Sequence, residues 1–136
     1  MFNLYYHPIY TYGIDEKSNF PRDRYQLLKR DLQMYLNRHS IEIKKSPIVD
    51  ESIINKIHDP NYVSRFLNQE LDSKEIRRIG LKPWKREIIE RTLRITGGSI
   101  AAMQDAIMTG GFSGNMAGGT HHAHKDYGSG FCIFND

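Results

Sequence analysis

The sequence of 136 residues is poor in cysteine, and Cys132 is the single thiol that it contains. One thiol forms no internal disulfide and supplies no cysteine-rich zinc site, so a disulfide scaffold and a zinc finger are excluded. Apolar runs are short and nowhere approach the ~18 residues that a membrane-spanning helix needs. The opening MFNLYYHPIY also lacks the basic and apolar regions of a signal peptide. These absences predict a cytoplasmic protein without a membrane partner.

Charge and glycine are unevenly distributed along the chain, whose formal net charge is +3. Residues 1–96 hold 18 of the 19 Lys and Arg and 13 of the 16 Asp and Glu, whereas residues 97–136 hold nine of the 11 glycines. In the first part the basic residues are interleaved with acidic ones, and no nucleic-acid-binding motif is present. A solvated helical surface is therefore favoured over a nucleic-acid-binding face, and no nucleic-acid partner is expected.

Two strands and an amphipathic helix are predicted near the N-terminus. FNLYY at residues 2–6 and IEIK at residues 41–44 are rich in β-branched or aromatic residues, which is typical of strands. Between them, leucines recur every four residues and predict a helix over residues 24–38. The leucines are Leu28, Leu32 and Leu36, and with Tyr25 and Tyr35 nearby they predict an amphipathic helix.

Two short helices are expected after the second strand. Asp50 or Ser52 can cap the first, and Asp59 followed by Pro60 is a typical start for the second. Pro60 suits the first helical position because its missing N–H has no helical partner there. The apolar face of the second helix is expected to pack in the core and comprises Tyr62, Val63, Phe66 and Leu67.

A long helix is predicted from Lys85 to the glycine pair Gly110-Gly111, which ends it. Gly97-Gly98 interrupts its middle, so either the helix breaks there or another element packs against the bare backbone. FSGNMAG and GFCIF, which follow, predict two further strands. The alternation of strands and helices predicts an α/β fold with a parallel sheet and its chemistry at the strand ends.

Three histidines lie within four residues, at positions 121, 122 and 124, between glycine pairs that favour a sharp turn. Such a turn would direct His121 and His122 into one cavity, and imidazole transfers protons readily near neutral pH. Other interpretations stay open: a surface or satisfied core histidine, or a metal-binding tract. Cys132 lies between Phe131 and Ile133, which favours an inert buried thiol over a nucleophile. For His7, His39, His58 and His124 the favoured interpretation is a surface histidine or a satisfied core histidine.

The stretch NMAGGTHHAHKDYGSGFCIFND resembles the tandem-histidine segment of the histone deacetylase superfamily, in which GG-x-HHA leads into GFC-x-x-ND. Upstream, YYHPIY is similar to that family's opening strand and loop, and HDPNYVSRFLN to its HDP-x-YV helix. RRIGLKPWKREIIERTLRITGGSIAA resembles the loop and long helix of the class IV-like and bacterial branch. The resemblance covers the full chain. It implies that residues 1–136 are the N-terminal part of one catalytic domain with an arginase/deacetylase-like three-layer α/β/α fold.

The resemblance also implies roles for four residues. His121 and His122 match the tandem pair beside a zinc-bound water, with His122 as general base and then acid, and His121 as its electrostatic partner. Gly130 and Phe131 match the residues that line the tunnel for the acyl-lysine side chain. The implied function is that of a zinc-dependent deacetylase, whose substrate is an acyl-lysine protein or a small acyl-amine.

The family's zinc ligands are an Asp-x-His pair and a second aspartate after the GFC segment, and this chain contains no Asp-x-His. Asn135 and Asp136 match residues that begin the family's next helix. We therefore expect the 136 residues alone to be inactive and marginally stable, with a polypeptide carrying the other half as a possible partner. The alternative is a non-catalytic remnant or interaction module. Ser18 and Lys82 depart from the branch pattern in loops expected near the tunnel rim.

Overall fold

The computed structural model describes residues 2–36 and 40–136, and within them three parallel strands combine with six helices. The sheet order is β2-β1-β3, and Leu4 on the central strand lies opposite Ile43 and Gly114. The predicted α/β class and parallel sheet are confirmed, whereas the three-layer arginase-like arrangement stays a prediction. In chain order the elements are β1 (Phe2–Tyr6), α1 (Ile9–Tyr12), α2 (Arg24–Leu36), β2 (Ile41–Lys45), α3 (Glu51–Ile54), α4 (Pro60–Leu67), α5 (Ser73–Ile79), α6 (Ile88–Thr109) and β3 (Ser113–Asn115).

Helix α2 begins where the leucine spacing predicted, but its buried face is different. Tyr25 is 3% exposed and packs edge-on against Tyr10, whereas Leu28 is 45% exposed. The helix therefore packs through its first turn, and Leu28 of the leucine repeat lies outside the core. The predicted end of this helix, at residue 38, and His39 lie outside the described residues.

The helix starts follow local capping signals. Asp50 accepts a hydrogen bond from the Ser52 N–H and begins α3, and Asp59 accepts one from the Tyr62 N–H and begins α4, as predicted. Helix α5 was not predicted. Its signal was present, because Asp72 and Glu75 form a reciprocal capping box.

Helix α6 runs without a break through its glycine pair, so the second of the two expectations is confirmed. A side chain at Gly97 would overlap the carbonyl oxygen of Pro47, and one at Gly98 would lie 2.8 Å from the Tyr10 hydroxyl. The loop after β2 is tied to the helix by a hydrogen bond from the Val49 N–H to the Leu93 carbonyl. Although α6 has 22 residues, no helix in the described ranges is long and apolar enough to cross a membrane.

The segment after α6 differs from the two predicted strands. FSGNMAG contains only the three-residue β3, and GFCIF is no strand in the structure. Gly130 and Phe131 have φ angles of +52° and +69°, so the chain turns back between Ser129 and Cys132. Positive φ at two successive residues is incompatible with an extended strand.

The main core anchors the end of this segment. Ile133 and Phe134 are 3% and 2% exposed and pack with the apolar faces of α4, α5 and α6. The Tyr62 hydroxyl donates a 2.9 Å hydrogen bond to the Ile133 carbonyl. Because both ends of the histidine segment are fixed, by β3 and by this core, the residues between them are held as a defined loop.

Candidate active site

A turn after β3 brings His121 and His122 side by side at the rim of one cavity. The Ala123 N–H reaches the Thr120 carbonyl at 3.4 Å and closes the turn. The two imidazole centroids lie 4.2 Å apart, with 42° between the ring planes, and both rings line a cavity of about 220 Å³. The prediction that a sharp turn directs the adjacent pair into one cavity is confirmed. Their catalytic role stays a prediction.

His122 rests on the backbone of Gly130. A β-carbon at Gly130 would lie 3.2 Å from Cγ and Cδ2 of the imidazole, so a side chain there would press on the ring. The ring nitrogens of His122 have no hydrogen-bond partner in residues 2–36 and 40–136. This imidazole is therefore available to exchange a proton with a molecule in the cavity.

His121 has one nitrogen engaged. Its Nδ1 lies 3.1 Å from the Gly119 carbonyl oxygen. A carbonyl only accepts hydrogen bonds, so Nδ1 carries a proton and, in the neutral ring, Nε2 keeps a free lone pair. The bond fixes the tautomer of His121 and the direction of its ring.

Phe131 and Phe20 form the aromatic side of the cavity. Their ring centroids are 5.2 Å apart with an interplanar angle of 71°, and Phe131 is 41% exposed. The left-handed backbone of Phe131 costs of order 1–3 kcal/mol. Hydrogen bonds from the N–H groups of Phe131 and Gly130 to the last carbonyls of α5, at Ile79 (2.7 Å) and Arg78 (3.3 Å), hold it there.

Phe20 is a site residue that sequence reasoning missed. The closest signal was the neighbouring Ser18, placed by the resemblance in a loop near the tunnel rim. Ser18 Oγ accepts a 3.2 Å hydrogen bond from the Phe20 N–H, so this loop does carry an aromatic ring to the cavity. Lys82, the other departure from the branch pattern, lies two residues after Gly80. The backbone at Gly80 is close to the cavity, since a β-carbon there would lie 3.3 Å from the Phe131 ring.

Arg91 is a second missed residue, and it forms a buried positive charge in the cavity wall. Its side chain donates to the Tyr10 carbonyl at 2.9 Å and to the Tyr25 hydroxyl at 3.2 Å, and its guanidinium carbon lies 5.2 Å from the Phe20 ring centroid. Burial lowers the pKa of Arg91 to about 10, so it stays charged at neutral pH. In the sequence the surrounding charged residues indicate a solvated helix face, so the burial of Arg91 could not be predicted from them.

The remaining histidines lie away from the pair. His124 stacks on Tyr127, with centroids 4.4 Å apart, and does not line the cavity. His58 is 3% exposed with both ring nitrogens hydrogen-bonded, which confirms the interpretation as a satisfied core histidine. His7 is half-buried and accepts a hydrogen bond from the Ile9 N–H.

Cys132 lines the cavity but is shielded. It is 6% exposed, and burial raises the pKa of its thiol, as expected for an unreactive cysteine. Within the described residues, no three His, Cys, Asp or Glu side chains are close enough together to hold a metal ion. The donors at the cavity are two imidazoles and this protonated thiol, so the side chains described do not by themselves fit a zinc ion.

A larger surface cavity of about 480 Å³ lies elsewhere, between Ile48, Leu67 and Leu93. Its lining contains neither histidine nor cysteine. The smaller cavity, which two adjacent imidazoles line, is the candidate for chemistry.

Comparison with known proteins agrees with the geometry. Residues 18–136 match the family described as the histone deacetylase domain. The chain is also similar to an uncharacterized protein of Picosynechococcus sp. (strain ATCC 27264 / PCC 7002 / PR-6), with 38% identity over 135 residues. That match covers 99% of this chain and 44% of the relative, so the chain spans less than half of the relative's length. The family match takes in α2 to β3 and the whole histidine loop, and the chain belongs to the histone deacetylase superfamily.

Proposed function

We propose that this chain supplies the proton-transferring and tunnel-lining part of a deacetylase that hydrolyses acyl-lysine or a small acyl-amine. The observation that carries the proposal is the placement of His121 and His122, 4.2 Å apart, at a cavity that Gly130 and Phe131 also line. These are the four residues that the resemblance singles out, and the fold brings them together although a loop of seven residues separates the two pairs.

The proton chemistry is assigned to His122. Its ring nitrogens face no competing partner among the described residues, so one of them can accept a proton from an attacking water molecule and return it to the leaving amine. His121, with its tautomer set by the Gly119 carbonyl, is proposed to stabilise the charge that His122 acquires. The aromatic rings of Phe20 and Phe131 suit the aliphatic stem of an acyl-lysine side chain.

The proposal assigns the family's zinc to residues outside this chain, because the described donors do not form a metal site. A cytoplasmic location, a protein or small-molecule substrate, and an absence of nucleic-acid partners remain part of the proposal.

A chimera tests this function. Residues 1–136 would replace the matching 44% of the Picosynechococcus relative, and zinc-supplemented protein would be assayed on an acetyl-lysine peptide and an acetylated polyamine. We expect hydrolysis by the chimera, and a loss of about 100-fold or more in kcat when His122→Ala removes the proton acceptor. The matched control is His124→Ala, which alters a neighbouring imidazole outside the cavity and should leave kcat within about twofold.

The same test distinguishes the proposed function from the alternative, which is a non-catalytic remnant or interaction module. If the relative hydrolyses either substrate and the folded chimera hydrolyses neither, residues 1–136 do not support catalysis and the remnant is correct. Activity that survives His122→Ala would contradict the role given to that residue.

A further inference from the structure

Asp136 binds the backbone immediately before the tandem histidines. Its carboxylate accepts hydrogen bonds from the Thr120 N–H at 2.7 Å, the Thr120 hydroxyl at 2.8 Å and the Gly119 N–H at 3.1 Å. The Ser99 hydroxyl on α6 adds a fourth at 2.9 Å. A β-carbon at Gly118 would lie 2.8 Å from the same carboxylate, so the glycine leaves room for it. One carboxylate thus fixes the turn to helix α6.

Asn135 binds the other side of the same turn. Its side-chain amide donates to the Ala123 carbonyl at 3.0 Å and, in a longer contact of 3.5 Å, to the His121 carbonyl. The two hydrogens of a single amide group therefore reach the carbonyls of His121 and of the residue after His122. Together with Asp136, this side chain contacts the backbone both before and after the pair.

His58 supports this arrangement through hydrogen bonds at both of its ring nitrogens. Its Nε2 lies 3.0 Å from the Asn135 N–H, and its Nδ1 lies 3.1 Å from the Lys125 carbonyl. The N–H must donate and the carbonyl must accept, so the buried imidazole is neutral, with its proton on Nδ1. The Asp59 N–H donates to the same Lys125 carbonyl at 2.8 Å, which adds a second link between this loop and the histidine segment.

We infer that Asp136, Asn135 and His58 act as a clamp of positioning residues that sets the direction in which His121 and His122 face the cavity. The inference rests on the proposed function for its consequence in catalysis, because only a proton-transferring pair needs this orientation. The contacts that carry it are independent of any reaction. They are hydrogen bonds to four backbone groups around the pair, at Gly119, Thr120, His121 and Ala123.

The clamp is tested by NMR on the full chain of 136 residues, with no turnover required. Asp136→Asn weakens the charged acceptor, and Asn135→Leu removes the amide donor at similar volume. Hydrogen exchange at Gly119 and Thr120 should accelerate about tenfold or more in Asp136→Asn, since hydrogen bonds to charged groups are the strong ones. The imidazole NMR signals of His121 and His122 should shift in both variants, because the turn that carries the two rings loses contacts. Exchange of the core amide of Val63 reports whether the fold is intact.

Asp126→Asn is the matched control, because it removes a carboxylate from the same segment whose side chain makes no hydrogen bond among the described residues. This variant should leave hydrogen exchange at Gly119 and Thr120 and the imidazole signals of His121 and His122 unchanged. The nitrogen spectrum of His58 should show a proton on Nδ1. The clamp is refuted by a proton on Nε2 of His58, or by unchanged His121 and His122 imidazole signals in variants that keep Val63 protected. If the chain passes these tests but the chimera is inactive, the proposed function fails and the clamp still holds.

Discussion

The His122 imidazole lies so close to Gly130 that a β-carbon at residue 130 would be 3.2 Å from Cγ and Cδ2 of the ring, a tight contact that the ring would have to relieve. Gly130 also has a φ angle of +52°, a region that side chains rarely adopt. Two separate physical reasons, backbone conformation and proximity of the imidazole, therefore favour glycine at this position. A pair of substitutions distinguishes them.

Gly130→Ala should lower the free energy of unfolding by about 1–3 kcal/mol, since left-handed backbone strain and the pressed ring both contribute. It should also shift the imidazole signals of His122. Gly110→Ala is the control, because Gly110 has a φ of +64° but open space around its missing β-carbon. That variant should show the strain, about 1 kcal/mol, and no change at His122. Urea unfolding and NMR measure the two effects, and equal spectra for both variants would contradict the contact.

The packing of α6 against the loop after β2 can be tested by the sign of the change in unfolding free energy that Gly97→Ala causes. Alanine exceeds glycine in helix propensity by about 1 kcal/mol, so propensity alone predicts that Gly97→Ala stabilises the protein. The overlap with the Pro47 carbonyl predicts the reverse, a net loss of about 1–3 kcal/mol, because neither backbone can move freely. Gln104→Ala, at an exposed position of the same helix, should change the unfolding free energy by less than about 0.5 kcal/mol. A stabilised Gly97→Ala would show that the loop is not packed as described.

Glu75 makes stability depend on pH at acid values. Hydrogen bonds from Arg65 at 2.7 and 2.9 Å, the larger cause, and from the Asp72 backbone hold the pKa of Glu75 below its ordinary value. The unfolded chain then binds more protons at this site than the folded one, so the stabilisation is complete above the ordinary pKa and is lost as pH falls through the lower one.

Replacing Glu75 with glutamine should therefore reduce the fall in stability between about pH 5 and pH 3. At pH 7 the same variant should lose about 1 kcal/mol, since the capping box at the start of α5 also depends on this side chain. Glu70→Gln is the control, because the Glu70 side chain is exposed and makes no hydrogen bond in the described part of the chain. Urea titrations over this pH range measure both, and parallel pH curves for wild type and Glu75→Gln would contradict the assignment.

Features that depend on a few neighbouring residues could be predicted from the sequence. The strands β1 and β2 and the caps at Asp50 and Asp59 follow from local propensity and hydrogen bonding. His121, His122 and Gly130 were identified through the motif of the family that the chain resembles. Such a motif carries information on contacts between distant residues, which the spacing of residue types alone does not.

Features that depend on tertiary contacts could not be predicted in this way. GFCIF has the composition of a strand, yet the last carbonyls of α5 bind the N–H groups of Gly130 and Phe131 and select a turn. Arg91 is buried because Tyr10 of α1 and Tyr25 of α2 bind its side chain, and the charged residues next to it in sequence do not indicate these contacts. Phe20 reaches the cavity from a loop that lies more than 100 residues earlier in the chain than Phe131.

The surface near β3 predicts self-association of the chain. Among the described residues β3 pairs only with β1, so its other edge is unpaired, and large apolar side chains are exposed in the residues just before it in sequence. Met108 and Phe112 are each 83% exposed, and Ile107 is 73% exposed. We expect the purified chain to sediment as a concentration-dependent mixture above the mass of 15.8 kDa, and Met108→Lys with Phe112→Lys to return it towards the monomer. Met34→Lys, at a position 69% exposed on α2, is the control and should leave association unchanged. A monodisperse wild-type monomer with a cooperative thermal transition would show that the exposed edge is tolerated and would remove the reason to expect a covering partner.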